Sequence, residues 1–282
     1  MPELPEVETT LRGLEPLVGH KFTRVEVRNP NLRQLVVPNL QQLVTGQKLV
    51  SLGRRAKYLL LQLERSWLVW HLGMSGSIRL DKPNLAVRTH DHISILSSAG
   101  YELRYHDPRR FGSLVYCTGD PHQLPALVQL GPEPLQQEFS ATSLFLATRN
   151  KRTSIKQAIM DGRLVAGVGN IYAVEALFAA GVDPRLQAHR LTQAQAARLV
   201  TAIKHILAKA IATGGTTLRD FVSGLSQPGY FQQSLQVYGR EGQNCVRCGT
   251  VLRLVTLGQR ASVWCPGCQK KRDSKAQANT LA

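Results

Sequence analysis

The sequence contains no long apolar run. No stretch approaches the roughly 18 consecutive apolar residues that a membrane-spanning helix requires, and the acidic N-terminal segment lacks the apolar core of a secretory signal. It also has no internal repeat and no long low-complexity tract. These absences argue against a membrane or fibrous protein. We therefore expect a globular cytoplasmic protein with no membrane partner.

Acidic residues are scarce relative to basic ones. The 19 Asp and Glu residues face 35 Lys and Arg residues, which leaves a formal net charge of +16. An excess of this size opposes compaction through self-repulsion and favours a polyanionic partner. Because the sequence shows no amphipathic membrane anchor, a nucleic acid is a better candidate than a lipid surface. At this point a generically basic soluble protein is the alternative.

Cysteine is also scarce, but four of the five cysteines form one pattern. Cys245, Cys248, Cys265 and Cys268 are spaced as C-x2-C-x16-C-x2-C, whereas Cys117 stands apart. Two such pairs separated by 15–20 residues are typical of a tetrahedral structural zinc site. Disulfides are the weaker alternative in a reducing cytoplasm. The spacing therefore predicts one structural Zn²⁺ held by these four sulfurs.

The hydrophobic pattern changes period along the chain. An amphipathic helix at the start precedes short apolar strands with turn signals over residues 21–117, which favours an antiparallel sandwich or barrel. From about residue 139 the period is helical, with Ser140 and Asn170 as expected N-caps and a capping box at Thr192–Gln195. Gly214 and Gly215 end the last helix, and residues 216–234 have no clear period, so we predict a loop there.

These patterns predict an α+β chain with two main domains. The predicted parts are an N-terminal helix and an antiparallel sandwich or barrel over 1–132, a helical domain over 133–238, a four-cysteine zinc hairpin over 239–272 and a tail over 273–282; the resemblance described below implies the β-sandwich.

The first eight residues, "MPELPEVE", place two prolines and three carboxylates ahead of any basic residue. Taken alone, this stretch indicates an ordinary helix start, because proline suits the first turn and carboxylates complement the helix dipole there. Several further motifs, however, follow in a fixed order: "RRAKYLL", "HLGMSG", "YHDPRRFG", "GVGNIYA", "GYFQQSLQVYGREG" and "WCPGCQ".

Together these motifs closely resemble the formamidopyrimidine-DNA glycosylases of bacteria, over about residues 2–270. The resemblance implies a catalytic sandwich domain, a helix-two-turn-helix domain with a lesion loop, and a zinc finger. It implies a bifunctional DNA glycosylase and abasic-site lyase of base excision repair. The expected partner is double-stranded DNA containing oxidised purines (8-oxoguanine, formamidopyrimidines) or abasic sites, and we expect a monomer.

The resemblance implies four catalytic residues. The α-amine of Pro2, exposed once Met1 is removed, would be the nucleophile, and Glu3 would be the acid that protonates the sugar ring oxygen. Lys57 would be a phosphate ligand and proton donor, and Arg260, between the cysteine pairs, would be held by the zinc against the lesion phosphates. Glu6 would orient the amine. The choice of nucleophile is chemically reasonable, since an α-amine has a pKa of about 8 whereas lysine has a pKa of about 10.4.

The resemblance also implies the DNA contacts. The side chains that fill the gap left by the extruded nucleotide would be Met74, Arg109 and Phe111. The phosphate contacts would be His90, Lys151 and Asn170.

Two alternative functions stay open from the sequence. One is an oxidised-pyrimidine glycosylase similar to endonuclease VIII, although Leu4 in "PELPE" and the motif "DPRRFG" favour the purine branch. The other is a non-catalytic DNA-binding protein that uses the helices and the zinc hairpin.

Overall fold

The structure is a computed structural model that describes residues 1–215 and 231–270. It divides into two compact units. The first comprises residues 1–133 with 207–234, and the second comprises 134–206 with 235–282. The predicted fold class is confirmed: a helix and antiparallel sheets are followed by a helical region and a cysteine-bearing hairpin. The finer domain boundaries stay predictions.

The chain begins with the predicted helix α1 (Leu4–Gly13). Glu3 occupies the N-cap position with extended backbone angles, and Pro5 lies in the first turn, where a missing N–H costs nothing. Leu4 and Val7 are fully buried, so the helix packs its apolar side on the sheets. Hence the start of α1 lies within the core rather than in solvent.

Eight short strands form two antiparallel sheets in the first unit, as predicted. One sheet has the order β1–β6–β7–β5 and the other has the order β2–β3–β4–β8. The strands are β1 (Phe22–Val27), β2 (Leu49–Arg55), β3 (Tyr58–Leu63), β4 (Trp67–His71), β5 (Ser77–Asp81), β6 (Asp91–Ser97), β7 (Glu102–His106) and β8 (Ser113–Cys117). Two short helices, α2 (Leu40–Val44) and α3 (Pro125–Val128), were not predicted.

One apolar cluster joins the inner faces of both sheets. It includes Phe22 of β1 and Ile95 of β6 from one sheet, and Leu61 of β3 and Trp70 of β4 from the other. The indole of Trp70 packs on the ring of Tyr105, with centroids 5.3 Å apart. A shared core between two antiparallel sheets is what defines a β-sandwich, and its edges present the loops that carry the predicted site residues.

The second unit contains the predicted helices. They are α4 (Ala141–Thr148), α5 (Ile155–Met160), α6 (Asn170–Ala180) and α7 (Gln193–Ala212), although the last six residues of α7 are assigned to the first unit. Ser140 caps α4 by accepting from the Ser143 N–H. The capping box of α7 is also confirmed, since Thr192 and Gln195 exchange backbone-to-side-chain hydrogen bonds of 3.0 and 3.2 Å.

One predicted cap is wrong. Gly169, not Asn170, is the N-cap of α6, and Asn170 is the first helical residue. The physical reason is the backbone: an N-cap needs non-helical angles, which Gly169 has, whereas Asn170 already lies inside the helix and its amide N–H donates to the Ala261 carbonyl at 3.2 Å.

Two strands, β9 (Arg253–Leu257) and β10 (Arg260–Trp264), pair as an antiparallel hairpin between the cysteine pairs. Residues 216–230 of the predicted loop lie outside the described residues, while Phe231–Ser234 form a single 3-10 turn. No helix of the described chain is both long and apolar enough to cross a membrane.

Candidate functional site

The N-terminal turn buries the residues predicted to carry the chemistry. Pro2 and Glu3 are both buried, and the Glu3 N–H donates to Glu6 Oε2 at 2.9 Å. Gly215, which has a positive φ of 78°, lies against the same carboxylate: a Cβ at this position would be 3.1 Å from Glu6 Oε1. The backbone of Glu3 is therefore held by a buried carboxylate one helical turn away, and a larger residue at position 215 would crowd this carboxylate and be strained by the positive φ.

Lys57 is presented by a tight turn between β2 and β3. Ala56, just before it, has a left-handed backbone with φ of 52°, which is unusual for a residue other than glycine. Glu133 holds this turn by accepting from the Ala56 N–H at 2.6 Å and from Arg54 and Arg55 at 2.8 and 3.0 Å. No role was predicted for Glu133 from the sequence, because its partner Ala56 is 77 residues away in the chain.

His71, at the end of β4, lies in a cationic environment. Burial, together with the positive charges of Lys57 and Arg33, lowers the pKa of its imidazole to about 4. Its Nδ1 accepts a hydrogen bond from the Gly73 N–H at 3.0 Å. His71 is therefore neutral at pH 7, and Lys57 and Arg33 both lie near enough to act on it. The sequence analysis quoted "HLGMSG" but assigned no role to this histidine.

The three residues predicted to fill the vacated base position come together around one buried carboxylate. Asp107 accepts from the Ser75 hydroxyl at 2.7 Å, from the Tyr105 hydroxyl at 2.9 Å and from the Gly112 N–H at 2.9 Å. Burial and the neighbouring Asp107 both raise the pKa of Tyr105, so its hydroxyl remains a donor. These bonds tie the turn that contains Met74 to the loop that contains Arg109 and Phe111.

The exposed side chains of these two loops lie next to each other. The phenyl ring of Phe111 is 45% exposed, and the Arg109 guanidinium lies over it at 4.6 Å from the ring centroid. Met74 is half-buried. Gly73 has a φ of 70°, and a Cβ at this position would collide with the backbone of Phe111. The close approach of the two turns thus requires glycine, and the structure brings Met74, Arg109 and Phe111 to one place.

His90 lies beside the same loop with a strained backbone. Its φ is 141°, and its carbonyl accepts from the Asp107 N–H at 3.0 Å. Its ring is exposed and lies 5.8 Å from the ring of His106. His90 is therefore fixed to the Asp107 loop through its backbone while its imidazole faces solvent.

The second unit brings two of its predicted contact residues together. Arg260 is exposed at the tip of the β9–β10 hairpin, and the next carbonyl, that of Ala261, accepts from the Asn170 amide at 3.2 Å. The Nζ of Lys156, whose side chain is fully buried, also lies 3.5 Å from this carbonyl. Sequence reasoning missed Lys156, although a lysine on an otherwise apolar helical segment was a usable signal.

Lys151 forms an ion pair with Asp161. Its Nζ lies 3.3 Å from Asp161 Oδ2, and Asp161 also binds Arg163, whose guanidinium is the main cause of the lowered pKa of this carboxyl group. A phosphate contact by Lys151 would have to share or replace this ion pair, so its predicted role stays a prediction.

The four predicted cysteines form one cluster. All four sulfurs lie within 4.8 Å of one another, with 3.8 Å between Cys245 and Cys268 and 3.4 Å between Cys248 and Cys265. Tetrahedral coordination with Zn–S bonds of about 2.3 Å places sulfurs about 3.8 Å apart, so the cluster fits the ion. Backbone N–H groups of Arg247 and Cys268 point at two of the sulfurs at 3.4 Å, as thiolates require. The predicted structural zinc site is confirmed.

Three family models match the chain in the order of these parts. The formamidopyrimidine-DNA glycosylase N-terminal domain matches residues 1–114, the H2TH domain of the same glycosylase matches residues 130–222, and a zinc finger found in this glycosylase and in isoleucyl-tRNA synthetase matches residues 242–271.

The chain belongs to the formamidopyrimidine-DNA glycosylase family. It is 53% identical to the formamidopyrimidine-DNA glycosylase of Pseudomonas syringae pv. tomato over 271 residues, which are 96% of this chain and 100% of the relative. A relative from Ectopseudomonas mendocina is also 53% identical with the same coverage. The expected family and the expected DNA glycosylase activity are therefore confirmed.

Solved structures of this family share the fold. The MutM (Fpg) protein of Thermus thermophilus is 39% identical with a TM-score of 0.86. A Lactococcus lactis Fpg complex with DNA containing an abasic site is 33% identical with a TM-score of 0.89. In both cases 96% of this chain covers 100% of the solved chain.

Zinc content provides a direct test of the cysteine cluster. Purified protein should contain one zinc ion per chain, and Cys248→Ala should lose it, because three sulfurs leave the coordination incomplete. Elemental analysis measures both. The matched control is Cys117→Ala, which removes a thiol outside the cluster and should keep one zinc ion; loss of zinc in the control and not in Cys248→Ala would contradict the assignment.

The cationic environment of His71 predicts an unusual titration. By NMR its imidazole should titrate near the pKa of about 4, well below the ordinary value of 6.5. Because the folded pKa is depressed, the protein should lose stability as the pH falls from 6.5 through 4. Lys57→Met should raise the pKa, whereas Lys48→Met, just before the far end of β2, should not. Equal shifts in both variants would show that Lys57 does not act on His71.

Proposed function

We propose that this protein excises oxidised purines, 8-oxoguanine and formamidopyrimidines, from duplex DNA and then cuts the strand at the resulting abasic site, in base excision repair. The observation that carries the proposal is the buried N-terminal turn, in which the Glu6 carboxylate fixes the Glu3 backbone next to Pro2. A Lactococcus lactis Fpg mutant in complex with DNA containing Fapy-dG, 34% identical with a TM-score of 0.89, supports the substrate class.

The nucleophile in this proposal is the α-amine of Pro2. Once Met1 is removed, this chain-terminal amine has an ordinary pKa of about 8, so a useful fraction is neutral and nucleophilic at pH 7. The start of α1 carries a partial positive charge that disfavours the ammonium form further. The amine attacks C1′ of the damaged nucleotide, a C1′–N bond to Pro2 forms, and the bond to the base breaks. The base departs with the bonding electron pair and takes up a proton.

Glu3 is the acid in the next steps. It protonates the sugar ring oxygen, the ring opens, and the nitrogen lone pair generates an iminium ion between Pro2 and C1′. The iminium accepts electrons when the C2′ proton is removed, which expels the 3′ phosphate; a second elimination expels the 5′ phosphate. Water then hydrolyses the product from Pro2. Lys57, held by the Glu133 turn, binds a phosphate and donates a proton in these steps.

The Asp107-centred loops fill the space that the extruded nucleotide leaves. An enzyme that acts on a base must take it out of the stack, and apolar wedges such as Met74 and Phe111 fill gaps between base steps. The guanidinium of Arg109 presents donors that match the acceptor atoms of an unpaired cytosine. The exposure of Phe111 supports this role, because an aromatic ring left 45% exposed contributes little to folding.

Phosphate binding falls to cations and amides of both units. His90 lies beside the Asp107 loop in the first unit, and Arg260 and Asn170 lie together in the second. The zinc would hold the hairpin that carries Arg260. Lys151 would join them when its ion pair with Asp161 exchanges for a phosphate.

The oxidised-pyrimidine alternative has one observation in its favour. A Lactococcus lactis Fpg, 33% identical with a TM-score of 0.88, was solved with DNA containing an oxidised pyrimidine. Excision of 8-oxoguanine and of thymine glycol from otherwise identical duplexes separates the two functions, and we expect faster excision of 8-oxoguanine.

The nucleophile can be tested by trapping. Borohydride should reduce the iminium to one covalent adduct between abasic DNA and the protein, and mass spectrometry of the N-terminal peptide should locate it at Pro2. A variant with an added residue before Pro2 has an amide in place of the amine, so the adduct and strand cleavage should both disappear while DNA binding persists. An adduct at Lys57, or full cleavage by the extended variant, would contradict the mechanism.

The role of Glu3 is tested by comparing two isosteric changes. Glu3→Gln removes the acid that opens the sugar ring, so strand cleavage at 8-oxoguanine should fall by about 10²-fold or more, whereas cleavage of abasic DNA, whose sugar already opens to the aldehyde in water, should fall less. Glu15→Gln makes the same change at an exposed position just after α1 and should leave both rates unchanged. Equal losses in Glu3→Gln on the two substrates would argue for a structural role only.

A further inference from the structure

A third loop reaches the Asp107-centred site. Residues 31–35 form a tight turn closed by a backbone bridge between Asn31 and Leu35. Leu32 and Val36 anchor this turn in the core of the first unit, while Arg33, Gln34 and Leu35 are exposed between them. The turn therefore has a fixed base and an open tip.

Backbone contacts place the tip beside the loop that carries Arg109 and Phe111. The Arg33 N–H donates to the Gly112 carbonyl at 3.0 Å, and Gly112 directly follows Phe111. Gly112 in turn lies against the backbone of β4, since a Cβ on it would be 2.7 Å from the His71 carbonyl oxygen. Arg33 is thus one hydrogen bond from the loop that carries Arg109 and Phe111.

The charge of Arg33 reaches the same groups as the charge of Lys57. Both cations lower the pKa of His71, and Arg33 also acts on the phenol of Tyr58, the neighbour of Lys57 in the chain. The rings of Tyr58 and His71 are themselves in contact, with centroids 4.7 Å apart. Arg33 and Lys57 are therefore two cations that act on the same neutral imidazole, that of His71.

Arg33 has no partner inside the described part of the chain. Across residues 1–215 and 231–270 its guanidinium makes no hydrogen bond, ion pair or ring contact. Four other arginines of this unit are paired: Arg54 and Arg55 bind Glu133, Arg79 binds Asp91, and Arg104 binds Glu102. An exposed guanidinium close to the ammonium group of Lys57 is costly in the free protein through like-charge repulsion, and an anion relieves that cost.

We propose that the Asn31–Leu35 turn is a further DNA-binding element of the first unit and that Arg33 is its phosphate ligand. The proposal rests on the proposed function for its choice of anion, since the polyanion that a DNA glycosylase presents to this face is the DNA backbone. A planar guanidinium can bind two phosphate oxygens at once, which a lysine cannot do. Arg33 would therefore orient the strand as well as neutralise it.

The test compares two arginines on the same sandwich. Arg33→Gln removes the proposed ligand. Arg65→Gln removes an equally exposed arginine from the turn between β3 and β4, at the end of that hairpin opposite Tyr58 and His71, about 16 Å away along the strands. Both variants lose one positive charge, so any general effect of net charge is the same in both.

The measurement is the affinity for a duplex containing a tetrahydrofuran abasic analogue as a function of salt. The slope of log affinity against log salt should fall in magnitude by about 0.9 for Arg33→Gln, as expected for one lost phosphate contact. It should stay unchanged for Arg65→Gln, and Arg33→Lys should recover the slope because it restores the charge. Equal slopes for Arg33→Gln and Arg65→Gln would overturn the proposal.

Two further measurements distinguish a failure of the Arg33 proposal from a failure of the proposed function. In the free protein, Arg33→Gln should raise the pKa of His71, which checks by NMR that the variant is folded and that the guanidinium lies where the structure places it; an unchanged pKa would overturn the placement. Wild-type protein that binds the duplex but forms no borohydride adduct with abasic DNA would fail the proposed chemistry while leaving the Arg33 comparison valid.

Discussion

The carboxylate of Asp107 is the constraint on which the two loops that carry Met74, Arg109 and Phe111 depend. It is completely buried, and a buried charge is tolerated only when its oxygens accept hydrogen bonds. Its donors come from three places: the Ser75 hydroxyl in one turn, the Tyr105 hydroxyl in β7 and the Gly112 N–H before β8. Losing any donor would leave the charge undercompensated, so the turns stay in one arrangement. Exposed side chains on such a fixed base lose little conformational entropy when they meet a ligand.

A carboxylate also fixes the backbone at two other predicted sites of the first unit, Glu3 and the turn before Lys57. Glu6 accepts from the Glu3 N–H, and Glu133 accepts from the Ala56 N–H. In each case a carboxylate fixes the backbone beside a predicted catalytic residue rather than the catalytic side chain itself. The backbone next to Pro2 and the backbone next to Lys57 are each held by such a carboxylate. A basic protein with few acids therefore uses several of them to position the chain.

The sequence predicted features that depend on neighbours along the chain. The start of α1, the capping box of Thr192 and Gln195, the short apolar strands and the cysteine spacing are all local patterns, and the structure confirms them. The cap at Asn170 was wrong by one residue, and the bond that its amide makes to Ala261, 91 residues away in the chain, was not predicted. Glu133 was missed for the same reason, since its partner Ala56 is 77 residues away. Local propensity carries no information about such partners.

The cationic character of the molecule also depends on tertiary pairing rather than on composition. A net charge of +16 describes the whole chain, but Arg79 and Arg104 are buried against carboxylates and present no charge to a ligand. What remains available is a smaller set, in which Arg33 and Arg109 are exposed on loops tied to Gly112 and Asp107.

In the second unit, the cysteine cluster helps to hold the hairpin that carries Arg260. The turn before it, Gly258–Gln259, has left-handed φ values of 57° and 60°, which match a two-residue hairpin turn. Gly258 also packs on Gln157, and the next carbonyl, that of Ala261, is held by Asn170 and Lys156. The cysteine cluster fixes the base of the hairpin, and helices α5 and α6 fix its tip. A two-stranded hairpin alone is marginally stable in water, so both anchors are needed to hold one guanidinium in place.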